Sequence, residues 1–182
     1  MKIFVISDIH GSSYYLKKSL EAFKAESADY LLILGDQLYH GPRNPLPRDY
    51  NPKEVADTLN KYKDVIIAVR GNCDSEVDQM MLEYPILADY TTLFLNEKRI
   101  FATHGHIFNM EKVPKISKKD ILIYGHTHVP LAEEKDGIFI LNPGSISLPK
   151  EGNENSYGIF ENDIFFIKNL DRKILKSISL KK

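Results

Sequence analysis

The chain has 182 residues, 43% hydrophobic and 27% charged, with Lys+Arg 24 against Asp+Glu 25 and a formal net charge of −1. That length suits a single domain over 1–182 with a core large enough to need no staple, while the even charge balance excludes bulk attraction to a polyanion or an acidic membrane, so no strong nucleic-acid electrostatics and no membrane partner are expected. A lone Cys excludes an internal disulfide, apolar runs of about five residues fall far short of the roughly 20 that span a bilayer, and Ser7-Asp8 follows Ile3 to Ile6 too soon for a signal peptide, which makes the expected location cytoplasmic.

In chain order, a β-branched run predicts a strand at 3–6, and Leu16, Leu20 and Phe23, at spacings of four and three, predict a helix over 13–26. A strand at 30–34 follows, then a Pro-rich stretch from Gly41 to Pro52 that reads as a loop near a site. Asn51 as cap and Pro52 in the first turn predict a helix over 52–62 with Val55 and Leu59 inward. Next come a strand at 65–69 and a short helix at 75–82. Further strands are predicted at 92–95, 99–103, 121–124, 138–141, 157–160 and 164–167, and 174–180 alternates like a half-exposed edge strand.

The first third alternates strand and helix, which implies a parallel sheet with helical crossovers. In the second half Asn96-Glu97-Lys98, Asp136-Gly137 and Asn162-Asp163 look like hairpin turns, so pairing there should be largely antiparallel. The expected class is α/β, with two packed mixed sheets and helices outside.

Five predicted strands end in a group able to bind metal: Asp8, Asp36 within Gly35-Asp36, Asn72 within Gly71-Asn72, His104-Gly105-His106, and Gly125-His126-Thr127-His128. Asp and Asn are good turn formers, and with 13 Asp, 6 His and 11 Asn in the chain, chance supplies one or two such ends. Five ends plus two His-x-His pairs exceed that. Donors outside the carboxyl ends of strands can converge although far apart in sequence. Carboxylate, imidazole and amide oxygen without a thiolate pair suit a first-row divalent ion: Mn²⁺ as the first choice, with Zn²⁺, Fe²⁺, Co²⁺ or Ni²⁺ as alternatives. The set is scattered and too large for one ion, which argues for two metals with an open position, and Asp36 is a natural bridge.

The blocks Asp8-Ile9-His10, Gly35-Asp36, Gly71-Asn72-Cys73-Asp74, His104-Gly105-His106 and Gly125-His126-Thr127-His128 resemble the calcineurin-like metallophosphoesterases, in the right order over 8–128. The stretches Leu38-Tyr39-His40-Gly41-Pro42-Arg43-Asn44 and Asn142-Pro143-Gly144-Ser145 are similar to the small bacterial YfcE-type phosphodiesterases. The resemblance implies one metal held by Asp8, His10, Asp36 and His128, the other by Asp36, Asn72, His104 and His126, in a four-layer α-β-β-α sandwich of two mixed sheets. It implies a metal-dependent phosphodiesterase acting on a small phosphodiester. Two divalent ions roughly 3.5–4 Å apart lower the pKa of a bridging water, the resulting hydroxide attacks phosphorus in line, and the ions neutralise the growing charge. Asn72 can ligate through its oxygen while its NH₂ faces phosphate.

Larger members of the family resemble Gly-Asn-His-Glu at the third block, where this chain has Cys73 and Asp74. A thiol of ordinary pKa about 8.5 is a weak general acid beside imidazolium, so good leaving groups are favoured. Arg43 can contact phosphate or remain a solvated loop residue, His40 can donate to substrate or sit exposed, and His106, sharing a strand face with His104, can orient substrate or support a ligand. Arg70, Asn142 to Ser145, and Tyr14 with Tyr15 read as structural, and Lys181 and Lys182 as a solvated end. Two other functions stay open: a phosphomonoesterase or nucleotidase, and a metal-bearing interaction scaffold like the retromer subunit of this fold. A homo-oligomer is compatible with all of them.

Overall fold

A computed structural model describes residues 1–181; Lys182, assigned above to a solvated end, lies outside the described residues. Strands β1 (Ile3–Ile6), β2 (Tyr30–Ile33) and β3 (Ile66–Ala68) alternate with helices α1 (Ser13–Ala25) and α2 (Pro52–Leu59), and a short α3 (Glu76–Met81) follows. The remaining strands are β4 (Tyr90–Leu95), β5 (Lys98–Thr103), β6 (Ile121–Ile123), β7 (Leu131–Lys135), β8 (Ile138–Asn142), β9 (Ser156–Glu161), β10 (Ile164–Asn169) and β11 (Ile174–Ser179).

They form two mixed sheets. The six-stranded sheet runs β11-β10-β9-β1-β2-β3, parallel across β1, β2 and β3 and antiparallel beyond. The five-stranded sheet runs β4-β5-β6-β8-β7. Its centre, β5-β6-β8, is parallel, which corrects the expectation of largely antiparallel pairing in this half. The crossovers that make it so, 104–120 and 124–137, contain no helix to advertise them.

The period of two along each strand divides the apolar residues between layers. From β1 and β2, Phe4, Ile6, Leu31 and Ile33 point outward onto Leu16, Leu20 and Phe23 of α1 and Val55 and Leu59 of α2. Val5 and Leu32 point inward, where they meet Ile100, Ala102, Ile121 and Ile123 of the facing sheet. Beyond that sheet, Phe101, Leu122 and Ile140 are covered by Phe108, Met110 and Ile116. The outermost layer on this side is therefore irregular chain, and the helices of the expected four-layer order lie outside the six-stranded sheet.

Helix starts follow their caps. Ser12 accepts the Tyr15 N–H, Asn51 accepts the Glu54 N–H, and Ser75 with Asp78 forms a reciprocal capping box. The helix expected over 52–62 tightens at Asn60–Val65 into a 3₁₀ segment. The strand β7, absent from the predicted elements, has the polar sequence LAEEK and forms an edge paired with β8 across the Asp136-Gly137 turn. As expected, β11 is a half-exposed edge strand, but its alternation breaks at Lys176 and Ser177, beside a register shift in its pairing with β10.

The consequence for function is positional. The loops leaving β1, β2, β3, β5 and β6 carry the predicted donors and meet at one end of the sandwich. Their backbones are tied across it, with Asp8 N–H donating to the Gly35 carbonyl at 3.2 Å and Gly125 N–H to the His104 carbonyl at 2.7 Å.

Candidate metal centre

Asp8, His10, Asp36, His104 and His128 are all buried, and their polar atoms converge. His128 Nε2 lies 3.2 Å from Asp8 Oδ1 and 3.3 Å from His10 Nε2, which is 3.7 Å from Asp8 Oδ1 and 3.6 Å from Asp36 Oδ2. On the other side of Asp36 Oδ2, His104 Nε2 stands at 3.3 Å, with Asn72 Oδ1 at 3.1 Å and His126 Nδ1 at 3.2 Å from that nitrogen. Donors bonded to one ion at about 2.1 Å and separated by about 90–110° lie roughly 3.0–3.5 Å apart. The two groups of contacts thus have the spacing of two coordination shells that share Asp36.

Two further observations fit a cation. Asp8 Oδ1 is buried with no hydrogen-bond partner, although the other oxygen, Oδ2, accepts the His126 N–H at 3.0 Å. An orphaned carboxylate oxygen is costly unless an ion meets it. The imidazoles are also set in one tautomer: Nδ1–H of His10 donates to the Tyr39 carbonyl at 2.9 Å, that of His104 to Leu34 at 2.6 Å, and that of His128 to Leu148 at 2.6 Å. Each Nε2 is thereby turned to the centre.

Backbone strain marks the same residues. Asp8, His10, Asp36, His126 and His128 have φ of 57°, 48°, 54°, 65° and 61°, in the left-handed region that L residues seldom occupy. At ~1 kcal/mol or more each, such strain persists where surrounding structure enforces it. The enforcement is visible at Asp36, whose backbone N–H donates to Asp74 Oδ2 at 2.9 Å, while Asp74 also accepts from Gln37 N–H at 2.8 Å and Gly71 N–H at 2.8 Å. A Cβ on Gly71 would collide with Asp36 Oδ1 and the Asp36 nitrogen, so a side chain there would push the bridge out of place. Asp8 is held by Ser145 Oγ and Ser147 Oγ, which donate to its carbonyl at 2.9 and 2.8 Å.

The electrostatics favour a cation at this position. Burial opposes charge on Asp8, yet the neighbouring imidazoles His128, His104 and His10 keep its carboxyl well below the usual range. Asp36 is lowered against the same burial, chiefly by His104. For His104, burial works against the imidazolium, but Asp36 and then Asp8 outweigh it and push the pKa up to about 9. Burial holds His10 and His126 down. Burial also raises Asp74 to about 6, against the N–H bond from Gln37.

Beside the convergent donors lies a cleft of about 490 Å³ lined by Asp36, Asn72, Cys73, His126 and His128, with Arg43 and Lys150 also on its wall. Cys73 N–H donates to Asp36 Oδ1 at 2.8 Å, and one Asn72 NH₂ hydrogen goes to Cys73 Sγ at 3.2 Å. Burial, then the charge of Asp36, pushes the thiol up to about 12. His106 differs from expectation in its route. The strand ends at Thr103 and Gly105 turns at φ 122°, so no continuing strand aligns it with His104. Its ring lies 5.4 Å from that of His104 and 6.3 Å from that of His126, with Nδ1 buried and unpartnered. It is not among the cleft-lining residues.

Arg70 pairs with Asp89 at 2.5 Å, away from the cleft wall. His40 lies between Tyr39 and Tyr50 rings. The Arg48 guanidinium sits 3.6 Å from the Tyr14 ring centre. Asn142 Nδ2 donates to the Gly125 carbonyl at 2.8 Å and so braces the His126 loop, the supporting role expected of 142–145. Lys150 and Thr127 on the cleft, and the three carbonyls that orient the imidazoles, were missed. A lysine in a Pro-Lys-Glu-Gly loop reads as solvated chain, and any residue can offer a carbonyl.

The pattern of the calcineurin-like phosphoesterase superfamily domain matches residues 1–163. Phosphodiesterase YfcE of Escherichia coli (strain K12) is 49% identical over 181 residues, covering 99% of this chain and 98% of that protein. A structure of YfcE, described as a phosphoesterase from E. coli, superposes with a TM-score of 0.98 at 48% identity and covers 100% of both chains. Wild-type Vps29 from Entamoeba histolytica complexed with Zn²⁺ shares the fold at a TM-score of 0.61 and 20% identity, covering 100% of both chains.

Proposed function

The chain belongs to the calcineurin-like phosphoesterase superfamily, and on that premise we propose that it is a phosphodiesterase that cleaves small phosphodiesters with two divalent ions in the centre described above. The observation that carries this reading is the convergence of seven donors on two positions that share Asp36, with Asp8 Oδ1 left without a hydrogen-bond partner. Asp8, His10, Asp36 and His128 would hold one ion, and Asp36, Asn72, His104 and His126 the other. Mn²⁺ is the first candidate for both. When bound, such a pair supplies water activation near neutral pH and neutralises charge on phosphate.

The chain's own groups do the remaining work. The Leu34, Tyr39 and Leu148 carbonyls hold three imidazoles in the ligating tautomer. Asp74 fixes the Asp36 backbone, and Arg43 offers its charge to phosphate from the cleft wall, outside the metal positions. Asn72 keeps its second NH₂ hydrogen for a phosphate oxygen. His106, with its ring 5.4 Å from that of His104 and 6.3 Å from that of His126, would support those two rings by contact. The chain acts as one domain, in the cytoplasm; among the described residues no helix is long and apolar enough to cross a membrane.

The test is an aryl phosphodiester assay with Mn²⁺, before and after chelation, in wild type and Asn72→Ala. Turnover that depends on metal is expected, reduced ~10²-fold or more in the variant, which loses a metal ligand together with a transition-state contact. Failure of wild type to exceed the variant with metal present would favour the scaffold.

Cys73 sets a second expectation. A thiol raised by burial and by Asp36 is a poor proton donor to a leaving alkoxide. Cys73→His is therefore expected to raise the rate on an alkyl diester relative to an aryl diester by ~10-fold, a modest share of what general acids contribute. Equal alkyl-to-aryl ratios in both proteins would count against a protonation role at this position.

A further inference from the structure

Outside the donor set, the cleft holds two cations with nothing to balance them. Arg43 comes from the loop after β2 and Lys150 from the loop between β8 and β9; both line the cleft and both are exposed. Among the described residues neither has an ion-pair partner, and the cleft's single lining carboxylate is Asp36, itself part of the centre.

Their backbones are anchored to the site. Asn44 donates through N–H to the Gly41 carbonyl at 3.2 Å and through Nδ2 to the His40 carbonyl at 2.9 Å, closing the turn that presents Arg43. Lys150 N–H donates to the carbonyl of His128 at 3.3 Å, and its own carbonyl accepts from Asn153 N–H at 3.1 Å and Nδ2 at 2.8 Å.

A charge count then discriminates between substrates. Two divalent ions held by Asp8 and Asp36 would leave an excess that a diester monoanion and one hydroxide neutralise, while Asp74 is spent on three backbone N–H groups and does not line the cleft. Arg43 and Lys150 remain uncompensated, which suits a substrate bearing a second anionic group next to the reacting one. The proton inventory points the same way: every imidazole lining the cleft belongs to the donor set, so a leaving group that departs as an anion fits best. A phosphate monoester, with its second pKa about 6, is such a group.

We propose that the preferred substrates are phosphoanhydride diesters, two esterified phosphates joined through one bridging oxygen, with the second phosphate seated on Arg43 and Lys150. This deepens the hydrolase reading and rests on it. Water's oxygen bonds to the first phosphorus, and the bond from that phosphorus to the bridging oxygen breaks. The bridging oxygen keeps the electron pair as an oxygen of the departing monoester, and the protons of water pass to solvent.

The test compares P1,P2-dithymidine diphosphate with thymidine 5′-(4-nitrophenyl) phosphate, which share a nucleoside and differ in whether the leaving group is a second phosphate. In wild type with Mn²⁺, kcat/KM for the anhydride is expected to exceed that for the aryl ester. In Arg43→Ala/Lys150→Ala that ratio should fall at least tenfold. As a readout independent of turnover, calorimetry with excess Mn²⁺ should show methylenediphosphonate binding more tightly than methylphosphonate to wild type, with the advantage lost in the double variant. Turnover of the aryl ester with an unchanged ratio in the variant overturns this inference and leaves the hydrolase standing. Absence of metal-dependent turnover of either compound overturns both.

Discussion

Asp36→Asn is expected to reduce bound Mn²⁺ from two ions per chain to at most one, and to lower kcat/KM on an aryl diester by well over the ~10–100-fold that loss of a merely orienting partner costs. The residue is 2% exposed, and its Oδ2 faces His104 Nε2 at 3.3 Å and His10 Nε2 at 3.6 Å, one from each half of the centre. Its Oδ1 accepts the Cys73 N–H at 2.8 Å. An amide of the same shape can put one oxygen toward the imidazoles or toward that N–H, and its NH₂ then opposes a donor or a cation. The negative charge that both ions share is lost in either orientation. Metal analysis after dialysis gives the stoichiometry, and circular dichroism shows whether the variant is folded. Retention of two ions by a folded variant with a rate within tenfold of wild type would remove Asp36 from the bridging position.

Much of this centre is legible in the sequence because its donors sit where strands stop. Runs such as IFVI and YLLI can be placed by their composition, and the polar residue after each is then located at a strand's carboxyl end. What the sequence conceals is interaction that any residue type can provide. Leu34, Tyr39 and Leu148 orient imidazoles through carbonyls, and Asp74 braces Asp36 through backbone N–H groups, so no spacing betrays them. Lys150 is brought to the cleft by a backbone bond to His128 that spans distant loops. The same reasoning covers the fold. The polar β7 is stabilised by pairing to β8, a tertiary effect that overrides its weak strand propensity. The parallel centre of the second sheet is hidden because its crossovers contain no helix, so no helical period signals a return to the same edge.

Loading the metal-free protein at pH 7 is expected to release about one proton per chain, and that proton comes from His104. Burial alone would keep this imidazole neutral, but Asp36 at 3.3 Å and Asp8 at 4.0 Å push it up to about 9, so Nε2 carries a proton in the position an ion needs. Asp8 and Asp36, held below their ordinary range, and His10 and His126, held down by burial, bring no competing proton at that pH. Metal affinity should accordingly rise between about pH 6.5 and 9 with a slope near one in log units, then level off as far as this group is concerned. The stability of the metal-free fold moves the other way. A folded pKa of about 9 above an ordinary value of 6.5 means that the His104 contribution is complete below 6.5 and lost as pH rises through 9, so Tm without metal should fall across that window. Calorimetry in two buffers of different ionisation enthalpy reads the proton release directly, and Asp36→Asn should diminish it by lowering the His104 pKa. Heats that are the same in both buffers would show that His104 is already neutral in the metal-free protein, and that the carboxylates do not hold a proton in place of the ion.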